Sequence, residues 1–335
     1  MKTKTIDNLN IGLIALSLLL AFKLPFALFL FSYAVLGPIH YLTEINWLKQ
    51  KKYFVKERKW VWLFVFLAAL ISIPVILNLP LFAKLNEQTF FKNVTLLING
   101  LTDVFLLTAL FFAIGLIYLK KWQHILLFLI VSVVVAKLVT KYILFSYVLV
   151  GIFLPTIIHV YVFTLLFMLM GALNSKNTAG FVGVILLLLC PLVIYLFPIN
   201  LANYVLLESN EVISTARNFR FIQYITQTFN GLQNGNTFQL SVLGIKIQIF
   251  IAFCYTYHYL NWFSKTQVIG WHKNISKTKF VLLFLIWLSL VFLFWYDYET
   301  AYLALFFLAI LHIILEFPLN VTCIKEIVLK LYPKK

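Results

Sequence analysis

Long apolar runs, broken by short polar stretches, take up nearly the whole chain. Ten runs stand out, at 9–22, 25–48, 60–79, 96–119, 124–139, 143–173, 181–198, 241–263, 280–296 and 301–320. A helix needs about 20 apolar residues to cross a bilayer core, and most of the runs reach or approach that length. The strict alternation over about 10 residues that marks a transmembrane barrel strand is absent. The pattern therefore predicts an all-α, polytopic integral membrane bundle of about ten transmembrane helices. Two junctions decide the count. Lys23 and Pro25 separate the first run from the second, and Lys137 and Lys141 mark the break between the fifth and sixth. The first run has the length of a signal-peptide core but no small-residue cleavage pattern, so it is expected to stay in the mature chain. The single long polar insertion, 200–240, holds Glu208, Glu211, Arg217, Arg220 and the turn-rich stretch 230–236. An external loop or an interfacial helix is expected there, within one transmembrane domain.

Composition sharpens the class. The 335 residues are 63% hydrophobic and 11% charged, against about 25% charged in an ordinary globular domain. The net charge of +16 does not imply nucleic acid, because the basic residues cluster in short loops beside the spans. Lys49, Lys51, Lys52, Lys56, Arg58 and Lys59 form one cluster, Lys265, Lys273, Lys277 and Lys279 another. Lys120, Lys121, Lys176 and the C-terminal lysines follow the same rule, which is the positive-inside pattern read by anionic lipids. With ten spans it puts both termini in the cytoplasm, and the expected location is a bacterial inner membrane. Cys190, Cys254 and Cys323 are isolated, so neither disulfides nor a thiolate metal site is indicated.

Four histidines lie deep in apolar runs: His40, His159, His258 and His312. Ionisable groups at membrane depth are costly and need partners; a shared metal would serve all four. On the ten-span map they fall on the second, sixth, eighth and tenth helices, all running from outside to inside. They lie 11 to 17 residues into their runs, which at 1.5 Å per residue is roughly 16 to 26 Å deep. That is the inner half of the membrane for every one. Glu44 follows His40 by four residues and Glu316 follows His312 by four, so each carboxylate shares a helix face with its imidazole. Such a carboxylate either completes a metal shell or orients the imidazole. Asn261, beside His258, and Asp103, early in the fourth run, are further polar groups for the site. His124 and His272 border basic loops and read as surface residues. Imidazole and carboxylate without thiolate suit iron, zinc, manganese or copper. Open positions on such a set point to non-haem Fe(II) and dioxygen, and zinc hydrolysis is the other regular use.

Three segments carry a resemblance to a family. The segment Gly37-Pro38-Ile39-His40-Tyr41-Leu42-Thr43-Glu44 resembles the Gly-Leu-Pro-His-Gly-Ala-Leu-Asp motif of the microbial Brp/Blh-type β-carotene 15,15'-dioxygenases. Phe253-Cys254-Tyr255-Thr256-Tyr257-His258 resembles that family's aromatic run before a histidine, and Leu311-His312 through Glu316-Phe317 its late histidine helix. The resemblance implies histidine-bound iron that splits β-carotene with dioxygen into two retinals, and it supports His40 and His258 as ligands. Two departures stand against it. Trp262 occupies the place of a second late histidine, and Ile98, before Gly100-Leu101-Thr102-Asp103, that of an early one. His159, His312, Glu44 or Glu316 would have to take their roles.

The leading expectation is a membrane non-haem iron oxygenase acting on a membrane-dissolved apolar lipid such as a carotenoid, with dioxygen as co-substrate. A transporter or channel with buried His and Glu sites for protons or cations is the first alternative. A scaffold whose polar groups only bond helices together is the second.

Overall fold

The computed structural model describes residues 3–143, 147–201, 203–204, 208–217, 220–229, 241–272 and 275–332. Among them the structure is helical throughout, without a strand. In chain order the main helices are α1 (Thr3–Lys23), α2 (Pro25–Phe31), a π-helical segment (Ser32–Leu36) and α3 (Gly37–Gln50), then α4 (Val61–Leu77), α5 (Thr89–Asn99), α6 (Thr102–Tyr118) and α7 (Trp122–Tyr142). A second π-helical segment (Tyr147–Phe163) leads into α8 (Thr164–Ser175), followed by α9 (Thr178–Leu196), α10 (Asn210–Arg217), α11 (Arg220–Thr228), α12 (Val242–Ser264), α13 (Lys277–Tyr296) and α14 (Tyr298–Leu331).

A helix occupies each of the ten expected runs. Eight are long and apolar enough to cross a membrane, and α5 with α6, bent by 48°, makes a ninth if the pair is one span. Both doubtful junctions are real breaks. Leu24 leaves helical geometry at φ −140°, ψ 64°, with Pro25 opening α2; a proline fits the first turn, where its missing N–H costs nothing. At the other junction α7 runs through Lys137 and Lys141 and ends at Ile143, which is extended. The helix α12 is long, but Gln248, Thr256, His258 and Asn261 make it less apolar than the others. Of the 200–240 insertion, the described part forms the two short helices α10 and α11; the stretch 230–236 lies outside the described residues.

The chain divides into two compact units. The first comprises Met1–His40 and Thr156–Gly270. Its centre is α12, whose buried residues, among them Ile249, Phe253, Tyr257 and Tyr259, face every direction. Around it pack α1, α2, α9 and α11. Contacts between α12 and the 25–40 stretch rise together along both chains. Gln248 Nε2 donates to the Pro25 carbonyl at 3.2 Å, Phe29 meets Tyr255 edge-on at 5.4 Å, and the Ser32 and Thr256 hydroxyls bond at 2.8 Å. These helices therefore run parallel. Asn10 on α1 accepts from the Tyr257 hydroxyl at 3.4 Å and the Ser264 hydroxyl at 3.1 Å. The Glu208 carboxylate reaches the start of α2 and accepts from Phe26 N–H at 3.3 Å and Ala27 N–H at 2.6 Å.

The second unit comprises Tyr41–Pro155 and Trp271–Lys335. Its centre is α14, which packs on α4, α6 and α13. Asp297 caps α14, accepting from the N–H groups of Glu299 and Thr300. At 34 residues α14 runs eleven residues past the expected end at Asn320, through Pro318. Only 6% of the apolar window of α13 and 17% of that of α7 is buried; both helices present their surface outward, as a lipid solvent allows. Lys52, Tyr53 and Phe54 all adopt positive φ near 55°, a left-handed turn that closes the basic loop after α3.

Candidate metal centre

The first unit gathers His40, His159 and His258. His40 arrives on the helix that changes from π to α geometry at Gly37. The Gly37 N–H donates back to Ser32 O, five residues earlier, and Pro38 then offers no N–H to continue the π pattern. His159 lies inside the second π-helical segment, which spans 17 residues, far longer than the single-turn bulges in which this geometry is ordinarily met, often at functional sites. His258 comes from the buried centre of α12. All three are buried.

The imidazoles touch. Nε2 of His258 stands 3.1 Å from Nε2 of His40, with the rings edge-to-face at 4.7 Å and 75°. The His159 ring centre is 5.0 Å from that of His258, and ring nitrogens of His40 and His159 lie within 4.8 Å of one another. Two nitrogens bound to one ion at about 2.1 Å are about 3.0 Å apart at a right angle and about 3.4 Å apart in a tetrahedron. The observed 3.1 Å falls in that interval. An N–H···N hydrogen bond has the same length, so the pair is equally suited to holding a proton or a metal.

Polar neighbours set the rings. Thr164 Oγ1 lies 2.7 Å from Nδ1 of His258. With Nδ1–H donating to that hydroxyl, Nε2 becomes the ligand nitrogen, the usual outer-sphere arrangement of a metal-bound histidine. Asn261 follows His258 by three residues on the same face, and its Oδ1 is buried with no hydrogen-bond partner among the described residues. Aromatic rings close the pocket around His40: Tyr259 at 5.1 Å and Trp262 at 5.5 Å and 86°. Trp262 thus packs against a candidate ligand from the position where the resembled family has a histidine.

In the second unit, His312 stacks on Tyr41 at 4.1 Å and 25°. Its Nδ1 lies 3.3 Å from Leu308 O; an Nδ1–H donated to that carbonyl makes Nε2 the acceptor nitrogen. One turn further along α3 and α14, the carboxyl groups of Glu44 and Glu316 are hydrogen-bonded to each other. The two rungs, Tyr41 with His312 and Glu44 with Glu316, ascend together, so α3 and α14 are parallel. Each of the buried histidines His40, His159 and His312 can offer a ring nitrogen to a metal ion. Asp103 is buried in the first turn of α6; among the described residues no hydrogen bond joins it to the Glu44–Glu316 pair. His124 and His272 are exposed, as surface residues should be.

Sequence reasoning missed Thr164 as the partner of His258, because a threonine in an apolar run carries no distinguishing pattern. It also missed Asn320, although its spacing of four from Glu316 was there to be read. No protein-family model, curated protein or solved structure matches the chain.

Proposed function

We propose that this chain is an integral membrane metalloprotein in which His40, His159 and His258 hold one ion through ring nitrogens. His312, the fourth histidine at that depth in the sequence, also has a ring nitrogen to offer a metal. The ion is Fe(II), and the activity is oxygen-dependent oxidation or cleavage of an apolar, membrane-dissolved substrate such as a carotenoid. The bundle has ten spans with both termini cytoplasmic, in a bacterial inner membrane. The observation that carries the metal assignment is the 3.1 Å approach of the His40 and His258 Nε2 atoms, with Thr164 set behind His258. Nitrogen donors without thiolate suit iron and leave positions for dioxygen. The resemblance at Gly37–Glu44 and Phe253–His258 supports the oxidative chemistry and the carotenoid class. The chain's own residues would fix the imidazole planes, exclude water through Tyr259 and Trp262, and keep the oxidising centre away from the aqueous phase.

The test is metal content by mass spectrometry on tag-free protein, purified in mild detergent without chelators. Near-stoichiometric iron in the wild type and in His272→Ala, with loss in His258→Ala, is the expected result. Equal metal in His258→Ala and wild type would overturn the ligand assignment. Stoichiometric zinc would redirect the chemistry to hydrolysis. Protein that takes up no metal even on reconstitution would favour a transporter or a scaffold.

A further inference from the structure

The polar group that the histidine centre leaves unexplained lies in the second unit. Glu316 and Asn320 sit one turn apart on α14, each 1% exposed, and Glu44 on α3 is 3% exposed. Four-residue spacing puts the Glu316 and Asn320 side chains on one helix face, with Cβ atoms about 6 Å apart. Leu48, Ile314, Leu315 and Phe317 make the surroundings apolar. Because the two carboxyl groups hydrogen-bond each other, one of them keeps a proton and donates it to the other. Beside them, neither Nδ2 nor Oδ1 of Asn320 has a hydrogen-bond partner among the described residues. A fully buried amide with both ends unsatisfied is rare in a native interior and calls for an occupant.

We propose that Glu44, Glu316 and Asn320 form a second site, one of hard oxygen donors for a divalent cation of the magnesium, manganese or calcium class. Two carboxylates neutralise a doubly charged ion, which suits a dry interior, and the Asn320 carbonyl supplies a third oxygen. Oxygen-only donors select hard cations, whereas imidazoles select iron or zinc, so the two sites differ in the ion they take. Charge and atoms balance simply: one divalent ion enters, and the proton shared by Glu44 and Glu316 leaves to solvent. A bound ion ties α3 to α14 directly below the Tyr41–His312 stack.

The proposal is tested with the full-length chain carrying His258→Ala, which disables the histidine centre. Mn²⁺ is titrated in and free ion read by electron paramagnetic resonance. One Mn²⁺ should bind per chain, and Glu316→Gln or Asn320→Leu should weaken binding at least about tenfold, as removal of one carboxylate or carbonyl from a small oxygen set does. If His258→Ala does not fold, wild type already loaded with iron gives the same readout. Asn320→Leu is the decisive variant, because it replaces an unsatisfied amide with an apolar group and should fold well. If it raises thermal stability and leaves Mn²⁺ binding unchanged, Asn320 is a packing residue and the proposal falls. Absence of stoichiometric Mn²⁺ binding overturns it too. Iron content unaffected by His258→Ala, with Mn²⁺ binding intact, would overturn the histidine assignment alone.

Discussion

The hydroxyl of Thr164 sits 2.7 Å from Nδ1 of His258, on the far side of the ring from the nitrogen that meets His40. It therefore fixes which nitrogen of His258 faces inward. Thr164→Val keeps the shape and removes this bond. Metal retention against a competing chelator should weaken about 10- to 100-fold, the usual effect of losing a partner behind a metal-bound histidine. Thr164→Ser should restore it. A role in packing alone would lower thermal stability and leave the chelator curve where it was.

Glu208 predicts a pH dependence. Burial pushes its carboxyl up, and the N–H groups of Ala27 and Phe26 pull it only part of the way back. Its folded value thus lies above its unfolded one. As pH rises from the ordinary carboxylate range, the unfolded chain loses the proton first, and the native state is progressively penalised until Glu208 also ionises. The apparent unfolding temperature in detergent should fall across that window relative to Glu208→Gln, which keeps one acceptor oxygen for the N–H groups of α2 but cannot ionise. Parallel curves for the two proteins would refute the effect. Glu208→Ala should cost about 1 to 2 kcal/mol at any pH, because it strips the cap from α2.

Gly115 predicts a steric effect. A Cβ there would stand 2.4 Å from Cδ1 of Phe128, where α6 and α7 pack together. Gly115→Ala must displace the ring, at a cost of about 1 to 3 kcal/mol typical of overpacking. The double variant Gly115→Ala, Phe128→Leu should recover most of it. Thermal unfolding of both proteins decides; an unaltered midpoint in the single variant would mean that the ring swings aside freely.

The helices in the ten apolar runs were legible because a lipid solvent demands long apolar segments, although eight of them, or nine with the bent pair, are long and apolar enough to span. The break at Leu24 was legible too, from Lys23 and Pro25. The end of α14 was not. Pro318 normally stops a helix, yet α14 continues because its next turns are buried through Cys323 and Ile327. Counting residues along the spans set His40, His159, His258 and His312 at one depth, since depth is linear in sequence, and His40 and His159 both meet His258 in the first unit. What counting could not supply was azimuth. Which way each imidazole points depends on helix phase, and phase in two of these helices is changed by π-helical turns that no residue pattern announced.

Those turns bear on how this chain tolerates changes in length. A segment closed by bonds five residues apart winds less per residue than its α-helical neighbours, so Ser32–Leu36 holds slack that a regular helix lacks. Deleting one residue within it, Val35 for instance, can be absorbed by conversion to α geometry without shifting the helix ends. Rotation is kept with it: because π turns carry more residues per turn than α turns, four α-helical residues sweep nearly the angle of the five they replace, and His40 stays on the face it shares with Ser32. Such a deletion should insert and fold as a normal span and still bring His40 to His258, whereas a one-residue deletion in the regular turns of α1 has no such slack and must turn one part of that helix against the other.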